Sequence, residues 1–345
     1  MKNIIKFLLI ISGITAQPLT NNTNINITKT WFQEPQGFTY PMSIHVPDGG
    51  TPQGGFSVCI LLHGNGGNGQ GMLQNFISVL PEHALVAPSG YMNSWNISDE
   101  QSEAPDVEMI ENLINILQTF SNVNPSRIRI LGVSNGSALV NRVFIENTNP
   151  GVDIFCAIVS QLSEAQYHNG NFHFPSGATG GADYFDGYDM VTIPINGRKY
   201  LSICNENDPV IPYAGGPSVG VNFLHAEYAA YIIAQSQGYN GMQLQNGIQL
   251  ENSNVFKYAY YGEMVIHLRG NANHGTNPVQ IEYVSQFFEN AAGDLNMDGE
   301  LDVLDVVLVV GIILNNEIDY NADMNSDGMV NVVDVILLVN MILAE

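Results

Sequence analysis

The chain has 345 residues, 33 acidic against 10 basic, a formal net charge of −23 and 45% hydrophobic residues. That length exceeds one ordinary core, so two domains are expected, and so acidic a chain argues against nucleic acid or anionic membrane as a partner while leaving neutral polymers and cations open. The charge is uneven, because residues 293–345 hold eleven acidic residues and no Lys or Arg.

Met1–Ala16 places Lys2 and Lys6 ahead of the apolar run Phe7–Ile14 and closes on Thr15-Ala16, the layout of a secretory signal peptide with cleavage after Ala16. That run is short for a membrane span, and so is Val306–Leu314. The expected location is extracellular, secreted or held at a cell surface, with no span left after cleavage. An Asn/Thr-rich stretch then reads as a spacer over residues 17–34, and the main domain is expected over 35–291.

Within it, Phe38–Val46 alternates as one strand, followed by the apolar strand Phe56–Leu62, a helix over Gly71–Leu80 and a strand over Ala84–Pro88. Asp106–Phe120 spaces Val107, Ile110, Leu113, Ile114 and Leu117 at helical intervals, which covers one sheet face. Arg127–Leu131, Ile154–Ser160 and Tyr200–Cys204 read as further buried strands, and Asn135–Glu146 as a helix. Strands alternating with helices predict an α/β fold with a mainly parallel sheet and helices on both faces. Cys59, Cys156 and Cys204 each sit inside an apolar run and read as buried thiols, although one disulfide between neighbouring strands stays open. Gln161–Lys199 breaks the rhythm with glycines and aromatics, and reads equally as a lid or as a long surface loop.

Gly132-Val133-Ser134-Asn135-Gly136 lies where the Arg127–Leu131 strand meets the next helix. A serine on so sharp a turn needs small flanking residues, and the helix N-terminus aims N–H groups at it. Three other strand ends supply what such a serine requires. Phe56–Leu62 runs into His63-Gly64-Asn65-Gly66-Gly67-Asn68-Gly69, whose amides can approach a substrate oxygen. Tyr200–Cys204 runs into Asn205-Glu206-Asn207-Asp208-Pro209, and Val265–Leu268 into the loop carrying His274. The order Ser, Asp, His fits a catalytic triad of Ser134, Asp208 and His274. His168, His173, His225 and His267 compete for the base, but His267 is inside a strand and His225 opens a helix. The N–H groups of Asn135 and Asn65 are the candidate oxyanion donors, with Gly64 or Gly66 as alternatives to Asn65; losing one donor typically costs about 3–4 kcal/mol of transition-state stabilisation.

On these motifs the chain resembles the secreted esterase family that includes polyhydroxybutyrate depolymerases and feruloyl and acetylxylan esterases. Ser94-Trp95-Asn96, Ala104-Pro105-Asp106-Val107, Asn124–Ile128 and Asn207–Gly216 resemble the family's pattern as well. The resemblance covers most of residues 35–290 and implies an α/β-hydrolase fold, a serine carboxylic-ester hydrolase and an ester substrate that is polymeric or derived from plant or algal cell wall. Two departures stand near the reacting centre: no aromatic follows His274, and Asn135 occupies a position where glycine is common. A serine peptidase on the same fold and a catalytically silent surface- or carbohydrate-binding module are the alternatives.

The tail, expected as a separate domain over 293–345, repeats itself. Asp294, Asn296, Asp298, Glu300, Asp302 and Asp305 recur 29 residues on as Asp323, Asn325, Asp327, Met329, Asn331 and Asp334, with Gly299 and Gly328 at the sixth place of each loop. Oxygen donors at loop positions 1, 3, 5, 9 and 12 suit Ca²⁺, and glycine lets the chain turn around the ion. Position 12 is Asp where Glu is usual, which shortens the reach. The following apolar segments, Val306–Leu314 and Val335–Leu343, can bury each other. The pair resembles a type I dockerin, which implies a small all-α calcium domain with two structural Ca²⁺ ions and a cohesin-like or cell-surface protein partner. Val303-Leu304 and Val332-Val333 replace the small and hydroxyl residues often found at that contact, so a purely intramolecular role stays open.

Overall fold

The computed structural model describes residues 16–343 except 53, 99, 177–184, 186, 251, 262, 290–292, 294, 296–300, 316–321 and 325–328. A hairpin of β1 (Thr28–Trp31) and β2 (Glu34–Thr39) precedes β3 (Met42–His45). The single strand expected over Phe38–Val46 is therefore two, because Pro41 has no N–H to give a ladder. β2 pairs with β1 and β3 with a different sheet. The spacer expectation changes too. Leu19, Ile25 and Ile27 are buried in the main core, and the Asn122 side chain bonds both the N–H and the carbonyl of Leu19 at 2.7 and 2.9 Å.

The chain continues through β4 (Phe56–Leu62), α1 (Gly69–Phe76), β5 (Ala84–Pro88), α2 (Asp106–Leu117), β6 (Val123–Val133), α3 (Asn135–Glu146) and β7 (Val152–Ile158). Three short strands follow, β8 (Tyr167–His168), β9 (Asn171–Phe174) and β10 (Met190–Thr192), then β11 (Lys199–Asn205) and the hairpin β12 (Gly216–Ser218) and β13 (Val221–Phe223). α4 (Ala226–Ser236), β14 (Ile248–Gln249), β15 (Phe256–Tyr260), β16 (Val265–Gly270) and α5 (Pro278–Glu289) complete the body, and α6 (Val303–Asn315) and α7 (Val332–Ile342) form the tail. No helix among the described residues is long and apolar enough to cross a membrane.

Among the described residues the main sheet has nine strands in the order β14-β15-β16-β11-β7-β6-β4-β5-β3. Every pair from β5 to β16 is parallel, with antiparallel strands at both edges. The fold is thus mixed α/β with a large, mostly parallel sheet. Both faces are covered, which is why β4 reads as one apolar run. Val58, Ile60 and Leu62 pack with α2 and α3, whereas Cys59 and Leu61 pack with α1 and α5. All three cysteines are free and buried. The segment between β7 and β11 is a small antiparallel sheet, β10-β9-β8. Neighbouring β4 and β6 send their connections to opposite sides, and a crevice opens at their carboxyl ends, where open α/β sheets bind ligands.

Candidate active site

Ser134 sits where β6 turns into α3, with φ 55° and ψ −119°. This is a sparsely populated conformation for a residue with a side chain, held here by its surroundings. A Cβ at Gly132 would run into the carbonyl of Gly136, as the sharp turn demands, and a Cβ at Gly136 would run into that of Leu62. The second glycine therefore lets the turn press against β4 as well.

The structure brings Ser134, His274 and Asp208 together. His274 Nε2 lies 2.8 Å from Ser134 Oγ, and Nδ1 lies 2.8 Å from Asp208 Oδ2. The Asp208 side chain is 2% exposed and that of His274 23%, so the carboxylate is covered while the imidazole opens toward solvent. The other Asp208 oxygen accepts from the N–H groups of Val210 and Ile211 at 2.7 and 3.0 Å. These bonds leave Oδ2 aimed at the imidazole. Of the competing histidines, His225 caps α4, while His168 and His173 stack on each other in the insertion. His267 is fully buried between Ser202 and Tyr213, and burial pushes its pKa down to about 3. None of these four is placed at Ser134.

The loop carrying His274 is fastened by residues the sequence reading passed over. Asn205 Nδ2 donates to the carbonyls of Asn273 and Gly275 at 2.9 and 2.8 Å, and Asn207 exchanges two bonds with Asn273. Both asparagines were visible in Asn205–Pro209, but side chain-to-backbone bonds across 68 and 70 residues leave no periodic trace. Asn277 and Gln280 then form a reciprocal cap that starts α5 at Pro278.

The backbone N–H groups of Asn65 and Asn135 donate to no acceptor among the described residues, while that of Gly66 is committed to Asn93 at 2.8 Å. Ser134, Asn65 and Asn135 line one cavity of about 600 Å³. Its lining mixes polar side chains, among them Asn93, Ser98, Glu100 and Gln101, with apolar ones, among them Ile97, Ile211, Val221 and Phe223. The insertion contributes Ser163, Gln166 and Tyr188, so it forms part of the cavity wall. Glu100 is the one carboxylate on the described lining, which has no Lys or Arg.

No protein-family model matches the chain, and no curated protein matches it. Solved structures do. An acetyl xylan esterase from Aspergillus awamori superposes with a TM-score of 0.48 at 12% identity, covering 77% of this chain and 99% of that one. A carboxylesterase from Bacillus cereus gives 0.44 at 14% identity, covering 72% and 93%. A poly(3-hydroxybutyrate) depolymerase from Bordetella parapertussis gives 0.40 at 16% identity, covering 58% and 74%.

Asp294, Asn296, Asp298, Glu300, Asn325 and Asp327 of the tail lie outside the described residues. The ends of both loops are described, and they match. Asp305 is fully buried and accepts from the N–H groups of Leu295 and Asp302 at 2.8 and 3.0 Å; Asp334, equally buried, accepts from Met324 and Asn331 at 2.9 and 2.8 Å. The short aspartate thus closes each loop onto the first turn of its helix, as Asn331 does again by capping α7. Asp302 and Asp323 add carboxylates and Asn331 a carboxamide oxygen to the described parts of the loops, oxygen donors of the type a hard cation takes, although the described carboxylates alone do not cluster into a metal-holding group.

Proposed function

We propose that the chain is a secreted serine carboxylic-ester hydrolase with a calcium-binding docking tail. The observation that carries the catalytic part is the unbroken line from Asp208 through His274 to Ser134, 2.8 Å at each step. A serine hydroxyl is a weak nucleophile until a base takes its proton. In this reading His274 Nε2 receives the Ser134 proton as Oγ bonds to the ester carbonyl carbon. Asp208 holds the proton on Nδ1 and stabilises the imidazolium. The carbonyl oxygen, now negative, receives the free N–H groups of Asn135 and Asn65. Collapse breaks the bond to the alcohol oxygen, which takes the proton from His274. Water then repeats the sequence on the acyl-enzyme, releases the acid and restores Ser134.

A cavity lined by both polar and apolar side chains supports an ester substrate with both kinds of surface. Secretion is supported by the charged and apolar pattern of Met1–Ala16. In the tail, the two loops would hold one structural Ca²⁺ each, and the exposed face bearing Val303, Val307, Val332 and Ile336 would meet a protein partner.

Turnover of hydroxybutyrate oligomers, feruloyl esters, acetylated xylan and a short p-nitrophenyl ester, by the full chain and its Ser134→Ala variant, tests the proposal. Hydrolysis of at least one ester that disappears in the variant is expected. A folded chain that cleaves none of them would overturn the hydrolase reading in favour of a binding module.

A further inference from the structure

We propose that Glu100 and the side chain of Asn135 act as a positioning pair that sets the geometry of both oxyanion N–H groups. This rests on the hydrolase reading above. Asn135 Oδ1 accepts from Trp95 N at 2.8 Å and faces Ser94 Oγ at 3.4 Å, while Nδ2 donates to Trp95 O and to Glu100 Oε1, both at 3.1 Å. The amide can sit only one way round, because a flip would set Nδ2 against the Trp95 N–H and Oδ1 against the carboxylate. The second Glu100 oxygen accepts from the N–H groups of Ile97 and Ser98 at 2.9 and 2.7 Å, which folds the 94–100 loop around it.

The same segment reaches the other donor. Trp95 Nε1 donates to His63 O at 2.8 Å, Gly90 N to His63 Nε2 at 3.0 Å and Gly66 N to Asn93 O at 2.8 Å, so residues 90–95 grip the loop that carries Asn65. Burial holds the His63 imidazole below its ordinary pKa, in the neutral form that can accept at Nε2. One strap therefore joins the N-terminus of α3 to the end of β4, and the Asn135–Glu100 bond is its fastening on the α3 side. Asparagine where the family often has glycine thus has a positive role: its side chain ties the donor residue to the strap. Misplacing a catalytic group by about 1 Å can cost on the order of 100-fold in rate.

The pair is tested by reversing its polarity. Asn135→Asp sets two carboxylates against each other, and Glu100→Gln lets an amide N–H₂ face the Asn135 N–H₂. Together they restore a donor on 100 and an acceptor on 135, while the Gln oxygen still accepts from Ile97 and Ser98; Asn135→Asp gives up the bond to Trp95 O in the single and the double variant alike. The readouts are kcat and KM on the best ester, the rate of Ser134 phosphonylation by a fluorophosphonate, and Tm. The phosphonyl oxygen occupies the oxyanion position, so labelling follows the donors without ester turnover. Each single variant is expected to lose about 10-fold or more in kcat and in labelling rate, with KM changed less than about 2-fold, and the double variant to exceed the Asn135→Asp single, which shares its loss of the Trp95 bond. Singles that match the wild type would overturn the pair and leave the hydrolase reading standing. A double variant no faster than the Asn135→Asp single, or losses that follow Tm, would make the contact structural only and overturn the proposal. Wild-type Ser134 that resists labelling would overturn the hydrolase reading and the pair with it.

Discussion

The end of the main sheet that carries Ser134 and the C-terminal tail achieve order by different means. Around Ser134 the strands are sealed on both faces, with Ile60, Leu61, Leu62, Ile130 and Leu131 fully buried, and the reacting groups come from segments far apart in sequence. Among the described residues of the tail the fully buried apolar ones are Val309, Ala322 and Leu338, while Leu304, Val307, Leu314, Val332 and Ile336 are exposed. If the loops hold Ca²⁺ as proposed above, bound metal would supplement this small cluster. In the body the geometry rests on packing across distant segments; in the tail a small cluster joining α6 and α7 is accompanied by short local bonds at the ends of each repeat.

The largest effect that would sharpen this contrast lies in the body. Asp208→Asn should leave the fold intact and lower kcat by about 10⁴-fold, because the imidazole loses the partner that fixes its tautomer. Unchanged turnover would show that the geometry at Ser134 is not used for chemistry. Removing divalent cations with a chelator should act on the other side of the comparison. It is expected to abolish helical signal and protease resistance in residues 293–345 while ester turnover stays within about 2-fold, and equal loss of both would mean that the two regions are one unit.

Acid should act on the body through His267. Its imidazole is pushed down to about 3, from 6.5, chiefly by burial. Between those values the unfolded chain binds a proton that the folded chain does not, so this group's contribution to stability is present above pH 6.5 and lost as pH falls toward 3. The Tm advantage of wild type over His267→Gln should therefore shrink across that window, and a constant difference would remove His267 as the cause. The smallest effect on folding is expected at the tail's exposed face. Val307→Lys should change stability by no more than about 0.5 kcal/mol yet weaken capture of a protein partner. A partner bound equally well by the variant would place docking elsewhere.

Much of the body was legible because its signals are local. Ala84–Pro88 and Asn135–Glu146 were bounded correctly, since turn residues and uninterrupted apolar runs mark their ends. The serine turn, the strand carrying Asp208 and the loop carrying His274 were also readable, because each lies at the end of a buried strand. The division at Pro41 was not read, although proline was the clue. The burial of Leu19, Ile25 and Ile27 was hidden by an Asn/Thr-rich composition that resembles a linker, and only the partners across the chain reveal it. Glu100 left no trace for the same reason: its importance lies in a bond to a residue 35 positions away.

The bonds that Asn205 and Asn207 make to the His274 loop give the site a mechanical division. Asp208 and His274 hang from one bracket formed by the ends of β11 and β16, whereas Ser134 is mounted on β6 and α3. A strain that slides the bracket against its neighbour would carry acid and base together, preserving their mutual angle while opening the gap at the serine oxygen. The cavity is lined by Ser134 and Asn135 from one mount and by Val210 and Ile211, just past Asp208, beside the other, so a molecule seated there would bear on both and its shape would set their alignment, much as a key sets the pins that let two cylinders turn as one.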